Sequence, residues 1–343
     1  MNTHQQQCEA AIVAGAWDVL YAESMAWSRD PEGAKDPRPL FARNVVYLLQ
    51  GRFADAWKAH ALCLEAQLDI TAVGSWVNDL LSRHDDCGYV HLIMGLFLAQ
   101  SGQSDRSMRP YTDAARLLPQ SAYPHYFLAQ IHERAGHPEM AIKAYREAVR
   151  LAPDFPPARM NLGVAYQDQG RLEMAIKEYR EVIKLTPNDS AAHSNLACAL
   201  AEQGKLEPAV QSYKAALKLN PQDAEVYFAL GGLYETRGRL DLAQKSYQDA
   251  LNANPDFGAA HSALGWLALG KHQLQQAADI FSRALKCNEE DARAYHGIAE
   301  IYAIRGKRQS AMENYSKALK YYQDPEKRNQ IMNQLFQEGQ VGD

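Results

Sequence analysis

Three groupings of residues in this 343-residue chain have types and spacing that invite a chemical reading. Gly265-Trp266-Leu267-Ala268-Leu269-Gly270-Lys271-His272 approximates a phosphate-binding loop, GxxxxGK followed by Ser or Thr. Its last place holds His272, and the segment reads as helix rather than as a loop after a strand. A phosphate loop needs free backbone amides, which a helix consumes, so nucleotide binding is not expected. His91, His125, His193 and His261 recur in one column, like a ladder of metal ligands. Matching side chains on neighbouring helices stand roughly 8–10 Å apart, whereas a metal needs several donors at about 2 Å. The column is therefore expected to pack, partly buried, between helices. His132-Glu133 lacks the second histidine of a zinc-protease helix, and no GxSxG elbow is present. Cys8, Cys63, Cys87, Cys198 and Cys287 are odd in number and form no CxxC pair, so they read as reduced thiols. The expectation is a chain that is not an enzyme and holds no cofactor and no metal.

Composition narrows the partners. Hydrophobic residues make up 47% and charged residues 22%, which suits a folded chain with a core. The net charge is −5, and residues 1–87, with 12 acidic and 7 basic side chains, account for it. Nucleic-acid binding needs a basic surface to displace counterions, and no such excess exists. The N-terminus lacks a cationic region, and the apolar stretch near Ala10–Ala16 is soon broken by Asp18. No membrane insertion is expected, and the location is read as cytoplasmic.

The elements that position these residues announce themselves by period. Tyr111, Tyr145, Tyr179, Tyr213, Tyr247, Phe281 and Tyr315 follow one another at intervals of 34 residues. The same interval links Pro119, Pro153, Pro187, Pro221 and Pro255, and it links Ala141, Ala175, Ala209, Ala243, Ala277 and Ala311. Gly102, Gly136, Gly170, Gly204, Gly238 and Gly306 form another column, with His272 in the missing place. Within one copy, Leu162, Ala165 and Tyr166 share a helical face, as do Ala175, Tyr179 and Val182 on the next segment. Glycine between them takes the positive φ that ends the first helix, and proline stops the second. Each copy is a helical hairpin whose apolar face is too small to bury alone, so copies must stack.

In these columns the sequence resembles the tetratricopeptide (TPR) family. The best copy reads Tyr227, Leu230-Gly231, Tyr234, Gly238, Ala243, Tyr247, Ala250 and Pro255. Departures are His272 in the glycine column and Gln323 where proline is expected. The resemblance implies an all-α fold, a right-handed α-solenoid of antiparallel helix pairs (a TPR superhelix). It also implies that first helices line a concave groove that holds another protein or an extended peptide. The face left after the core columns are removed includes Tyr123, Tyr126, Gln130, Arg134, Met160, Asn161, Asp168, Asn195, Glu202, Phe228, Glu235, Trp266, Arg293, His296 and Glu300. Asn161 and Asn195 look like part of an asparagine ladder that grips a peptide backbone, interrupted by Phe127, Ala229, Ala263 and Gly297. Acidic groups (Glu133, Asp168, Glu202, Glu225, Glu235, Glu300) outnumber Arg134 and Arg293, so the partner is expected to bring Lys or Arg beside aromatic or aliphatic anchors.

The domain reading is a degenerate helical region at 1–87 with an extra helix near 72–84, then seven tandem repeats at 88–324. A capping helix at 325–338 follows, with Ile331, Leu335 and Phe336 facing the last repeat, and then a disordered tail at 339–343. Residues 1–34 read as one degenerate copy turning at Gly15, and 37–70 as another built on Tyr47, Gly51 and Ala56. Trp17, Trp27, Trp57 and Trp76 crowd this first quarter, either as filling for imperfect packing or as a docking or self-association face through which a homo-oligomer could form. The functional expectation is a non-catalytic interaction scaffold or assembly adaptor. A self-assembling structural array and a regulatory subunit of a glycosyltransferase-type enzyme are the alternatives.

Overall fold

Alternating runs of about thirteen residues, punctuated by glycine and proline, dictate short helices joined by tight turns. A computed structural model of the chain describes residues 3–30, 35–49, 55 and 71–340, with the side chains of 338–340 left aside. Among these residues there are 19 α-helices and no strand. Four precede the regular repeats: α1 (Thr3–Ala14), α2 (Trp17–Trp27), α3 (Pro37–Leu49) and α4 (Thr71–Arg83). Seven hairpins follow. They are α5 (Gly88–Gln100) with α6 (Ser104–Leu117), α7 (Ala122–Arg134) with α8 (Pro138–Leu151), and α9 (Pro156–Asp168) with α10 (Leu172–Leu185). Next come α11 (Ser190–Glu202) with α12 (Leu206–Leu219), α13 (Ala224–Thr236) with α14 (Leu240–Ala253), α15 (Gly258–Gly270) with α16 (Leu274–Cys287), and α17 (Ala292–Ile304) with α18 (Arg308–Tyr321). The last helix is α19 (Pro325–Gln340). The chain divides into two compact units, Met1–Pro187 and Asn188–Asp343. Among the described residues no helix is long and apolar enough to cross a membrane.

The turn inside each hairpin is closed by backbone bonds that require a left-handed residue. In α9–α10, Gly170 has φ 68°, its N–H donates to Gln167 O at 2.8 Å, and Arg171 N–H donates to Tyr166 O at 2.8 Å. This pair of bonds satisfies carbonyls that the helix end would otherwise orphan. Gly15 (φ 66°) repeats the device between α1 and α2. His272 keeps it without the glycine: at φ 58° its N–H donates to Leu269 O and Gln273 N–H donates to Ala268 O. It is the one non-glycine residue with positive φ among those described. The phosphate-loop lookalike thus ends in a helix cap, with Gly265 and Gly270 inside α15.

The core is an aromatic pressed against a backbone. Tyr111, Tyr179, Tyr247 and Phe281 are almost fully buried. A Cβ added to Gly95, Gly163, Gly231 or Gly265 would come within 2.4, 2.5, 2.5 and 2.6 Å, respectively, of those rings. Such overlap cannot be accommodated without moving the ring. Buried alanines at 141, 175, 209, 243, 277 and 311 provide the matching close approach on the second helices.

Trp17, Trp27 and Trp76 are engaged internally. Trp27 and Trp76 are buried and meet edge-to-face at 6.3 Å, and Trp17 meets Tyr89 at 5.3 Å. Buried Glu9 accepts from Trp76 Nε1 at 2.7 Å and from Arg83 at 3.0 Å, which ties α1 to α4. Gly51, Ala56, Trp57 and Cys63 lie outside the described residues, as does the tail at 341–343. Two expectations at the C-terminus are corrected. Helix α19 continues to Gln340, past the boundary set at 338. Ile331 is buried against the last hairpin and Leu335 packs beside it, but Phe336 is 63% exposed.

His272→Gly is expected to raise the unfolding free energy by about 0.5–1 kcal/mol, the relief of a left-handed L-residue less the entropy of the new glycine. Denaturant titration would check it. In the same assay Gly231→Ala should lose about 1–3 kcal/mol.

Candidate functional site

The second-helix tyrosines decide which first-helix side chains remain available. Four of these buried rings point their hydroxyls back toward the first helix. Tyr145 donates to Glu133 at 2.9 Å, Tyr179 to Gln167 at 3.0 Å, Tyr247 to Glu235 at 2.6 Å and Tyr315 to Glu300 at 2.9 Å. A buried phenol needs such a partner, and a carboxylate is a strong one. Burial pushes the Tyr111, Tyr126, Tyr145, Tyr213 and Tyr247 hydroxyls upward, so they stay protonated donors at any physiological pH.

In the first unit this ties several expected groove residues together. Tyr126 is buried, contrary to the exposed position expected of it, because Phe127, Tyr145 and Phe155 surround its ring at 5.2, 6.0 and 5.1 Å. Gln130 Nε2 donates to Tyr126 Oη at 3.0 Å, and Asn161 Nδ2 donates to Tyr145 Oη at 3.2 Å. Tyr123 stands edge-on to Phe155 at 5.5 Å. The amide of Asn161 thus serves a neighbouring tyrosine. Phe127, in the same column, stacks on Tyr111 at 5.3 Å. Met160 is half-buried, whereas Arg134 and Asp168 are exposed.

In the second unit Phe228 is wedged between Phe257 at 5.3 Å and Tyr247 at 5.4 Å. Trp266 donates its Nε1 hydrogen to Arg293 O at 3.2 Å and meets His296 at 4.9 Å. His296, also expected on the open face, is buried, and its Nε2 lies 3.1 Å from Gln334 Oε1. Gln334 Nε2 donates in turn to Glu300 at 2.7 Å, so α19 is latched to α17 through the Glu300 carboxylate. The hydrogen bond from His296, with those from Tyr315 and Gln334, holds the Glu300 carboxyl below the usual carboxylate range despite partial burial. Glu202 and Arg293 are exposed, and Asn195 and Glu235 are half-buried. Gly297 interrupts the asparagine column because the Phe281 ring fills the space, 2.1 Å from where a Cβ would stand.

Phe155 and Phe257 carry a role that the sequence reading left unassigned. They occupy the position at which Asp189, Asp223 and Asp291 cap their helices, accepting from Ala192, Val226 and Ala294 backbone N–H at 3.0–3.1 Å. Where phenylalanine replaces the cap, it braces the groove aromatics of the preceding hairpin instead. The signal was present in the repeated Pro-Asp-Phe at 153–155 and 255–257.

The histidine column clamps loops. The ring N–H of His91 donates to Asp85 O at 2.7 Å and that of His261 to Pro255 O at 3.0 Å, a carbonyl being able only to accept. Arg159, in the same column, donates to Pro153 O at 2.7 Å. Among the described residues no group of three His, Cys, Asp or Glu side chains is placed to hold a metal. Cys8 is buried, and its thiol is pushed up to about 12, largely by burial, which leaves it unreactive.

Comparison with known proteins follows the repeat. Models described as tetratricopeptide repeat match residues 126–190, 233–292 and 262–327 and, separately, 178–211, and one described as TPR repeat matches 199–238. Together they run unbroken from 126 to 327. No curated protein matches the chain in sequence. Among solved structures, YrrB, a TPR protein with an unusual peptide-binding site, is 18% identical with a TM-score of 0.50, over 55% of this chain and 96% of its own. Pseudomonas aeruginosa pilF is 20% identical with a TM-score of 0.53, over 63% and 99%. MamA is 25% identical with a TM-score of 0.45, over 48% and 97%. The likenesses to YrrB and pilF speak to the fold alone.

The lowered Glu300 carboxyl carries a pH signature. Its folded value lies below the ordinary 4.5, so its stabilisation is complete above that pH and is lost as pH falls through the lower folded value. Wild type should therefore lose stability relative to Glu300→Gln between these limits, read as a shrinking difference in Tm on acidification. A constant difference would refute the latch.

Proposed function

The chain belongs to the tetratricopeptide-repeat family, and from that premise we propose that it is a non-catalytic scaffold whose first-helix face holds a segment of another protein. One observation carries this reading: the first helices carry exposed charged groups together with aromatic side chains that are already immobilised. Arg134 is exposed on α7 with Tyr123 and Asp168 on α9 with Met160, whereas in the second unit Glu202 is exposed on α11, and Arg293, whose carbonyl accepts from Trp266, is exposed on α17. Phe228 is held by two rings and Trp266 by the Arg293 carbonyl, so binding against them costs little side-chain entropy. Rigid aromatics with a polar rim are what a peptide-anchoring surface uses.

The partner is an extended or helical segment with aromatic or aliphatic anchors and some Lys or Arg. Its basic groups meet the exposed Asp168 on the first unit or the exposed Glu202 on the second. The carboxylates of Glu133, Glu235 and Glu300 contribute charge from positions already engaged by tyrosine hydroxyls. A peptide site in a similarly folded protein, YrrB, is consistent with this reading and does not carry it.

Peptide-array selection on the full chain should yield segments of that composition. Affinity for a selected peptide should fall at least about tenfold, roughly 1.4 kcal/mol, in Trp266→Ala or Asp168→Lys. Calorimetry giving unchanged affinity in both folded variants would dispose of the proposal.

A further inference from the structure

The opposite face of the first unit carries a pocket of about 410 Å³ between α8 and α10. Its apolar lining is Val149, Leu162, Tyr166 and Met174, the last 52% exposed. Around this floor stand Arg146, Arg150, Arg171 and Lys177, with Glu178 as the only acidic lining residue. Glu178 is neutralised by Arg159 at 2.6 Å, Arg150 pairs with Glu147 at 2.7 Å, and Arg171 pairs with Glu139. Arg146 and Lys177 have neither an ion pair nor a hydrogen bond among the described residues. Two cations without an ion pair therefore flank a floor at which Met174 is exposed and Val149 half-buried, over buried Leu162 and Tyr166.

The fold does not require them. The same pocket recurs three repeats later in the second unit, between α14 and α16, at about 680 Å³. There Gln248 stands in the place of Arg146, Gln276 in that of Met174, Asp279 in that of Lys177 and Ile280 in that of Glu178. Leu251 and Leu264 keep the floor. There Arg283 is the one Lys or Arg of the lining, beside Asp279, whereas the first unit's pocket carries four, so packing does not require the cationic version.

We propose that the pocket between α8 and α10 is a second docking site, independent of the first-helix face, for an acidic peptide segment that presents an aliphatic or aromatic side chain. Charge complementarity selects the carboxylates: Arg146 and Lys177 supply charge-assisted donors at the rim. The floor selects a hydrocarbon beside them, whose burial removes water from Met174 and Val149. A bare inorganic anion would engage the rim and leave that floor wet.

The test uses the full chain and fluorescence anisotropy with a labelled peptide alternating Asp or Glu with Leu or Phe. Controls are the same peptide with amides for carboxylates, inorganic phosphate as competitor, and vesicles of phosphatidylglycerol. The acidic peptide should bind with a salt-dependent affinity at least about tenfold above its amide form. Arg146→Gln with Lys177→Asp, the residues carried by the second pocket, should weaken it by about the same factor with an unchanged circular dichroism spectrum. Met174→Gln should reduce the preference for Leu over Ala in the peptide. Gln248→Arg with Asp279→Lys should add a second binding equivalent. Equal binding of the acidic peptide by wild type and the Arg146/Lys177 variant overturns the proposal. So does full displacement by phosphate without dependence on the Leu or Phe anchor, or binding to vesicles alone. Retained acidic-peptide binding in Trp266→Ala separates this site from the first-helix face.

Discussion

Most of the molecule depends on one close approach, an aromatic ring of each second helix laid on the backbone of the first. Tyr179 on Gly163 and Tyr247 on Gly231 leave no room for a Cβ, so helix separation in those hairpins is set by a missing side chain. The ring is the largest item buried in its hairpin, and its burial supplies much of the stabilisation that a pair of short helices lacks in isolation. Stacking is then obligatory, because half of each apolar face still faces the next hairpin.

The same ring links core to surface. A buried phenol must be hydrogen-bonded, and its hydroxyl emerges where the first helix carries Glu133, Gln167, Glu235 or Glu300. Residues that look like open recognition groups are thereby drawn into the fold. What remains on the first-helix face is a set of braced aromatics with charges around them. Between neighbouring second helices, the chemistry of the pockets is left to whichever side chains rim them. The contrast between the Arg146–Lys177 pocket and its Gln248–Asp279 counterpart follows from that freedom.

Repeat structure also explains why individual substitutions are tolerated locally. His272 adopts the glycine conformation because two backbone bonds and the neighbouring helices over-determine the turn. Phe155 and Phe257 forgo the helix cap that Asp189, Asp223 and Asp291 provide, and they return packing to the preceding hairpin in exchange. In α19, Met332 and Phe336 stand in phase with the Leu162 and Tyr166 columns, and both are exposed.

The helices, their pairing and the buried columns were legible in the amino-acid order. A 34-residue period with glycine, alanine, aromatic and proline in phase admits one local solution, since hydrophobic spacing and turn chemistry act over neighbouring residues alone. The family followed from the same columns. The state of each polar group was not legible there. Tyr126, Asn161, His296 and Glu300 read as an exposed face by position, yet two are buried and all four are partnered by residues 4 to 38 places away. Whether an amide or carboxylate is open or spent depends on which hydroxyl or ring reaches it across a helix interface. That reach is set by interhelical distance, a quantity that only the packed tertiary structure determines.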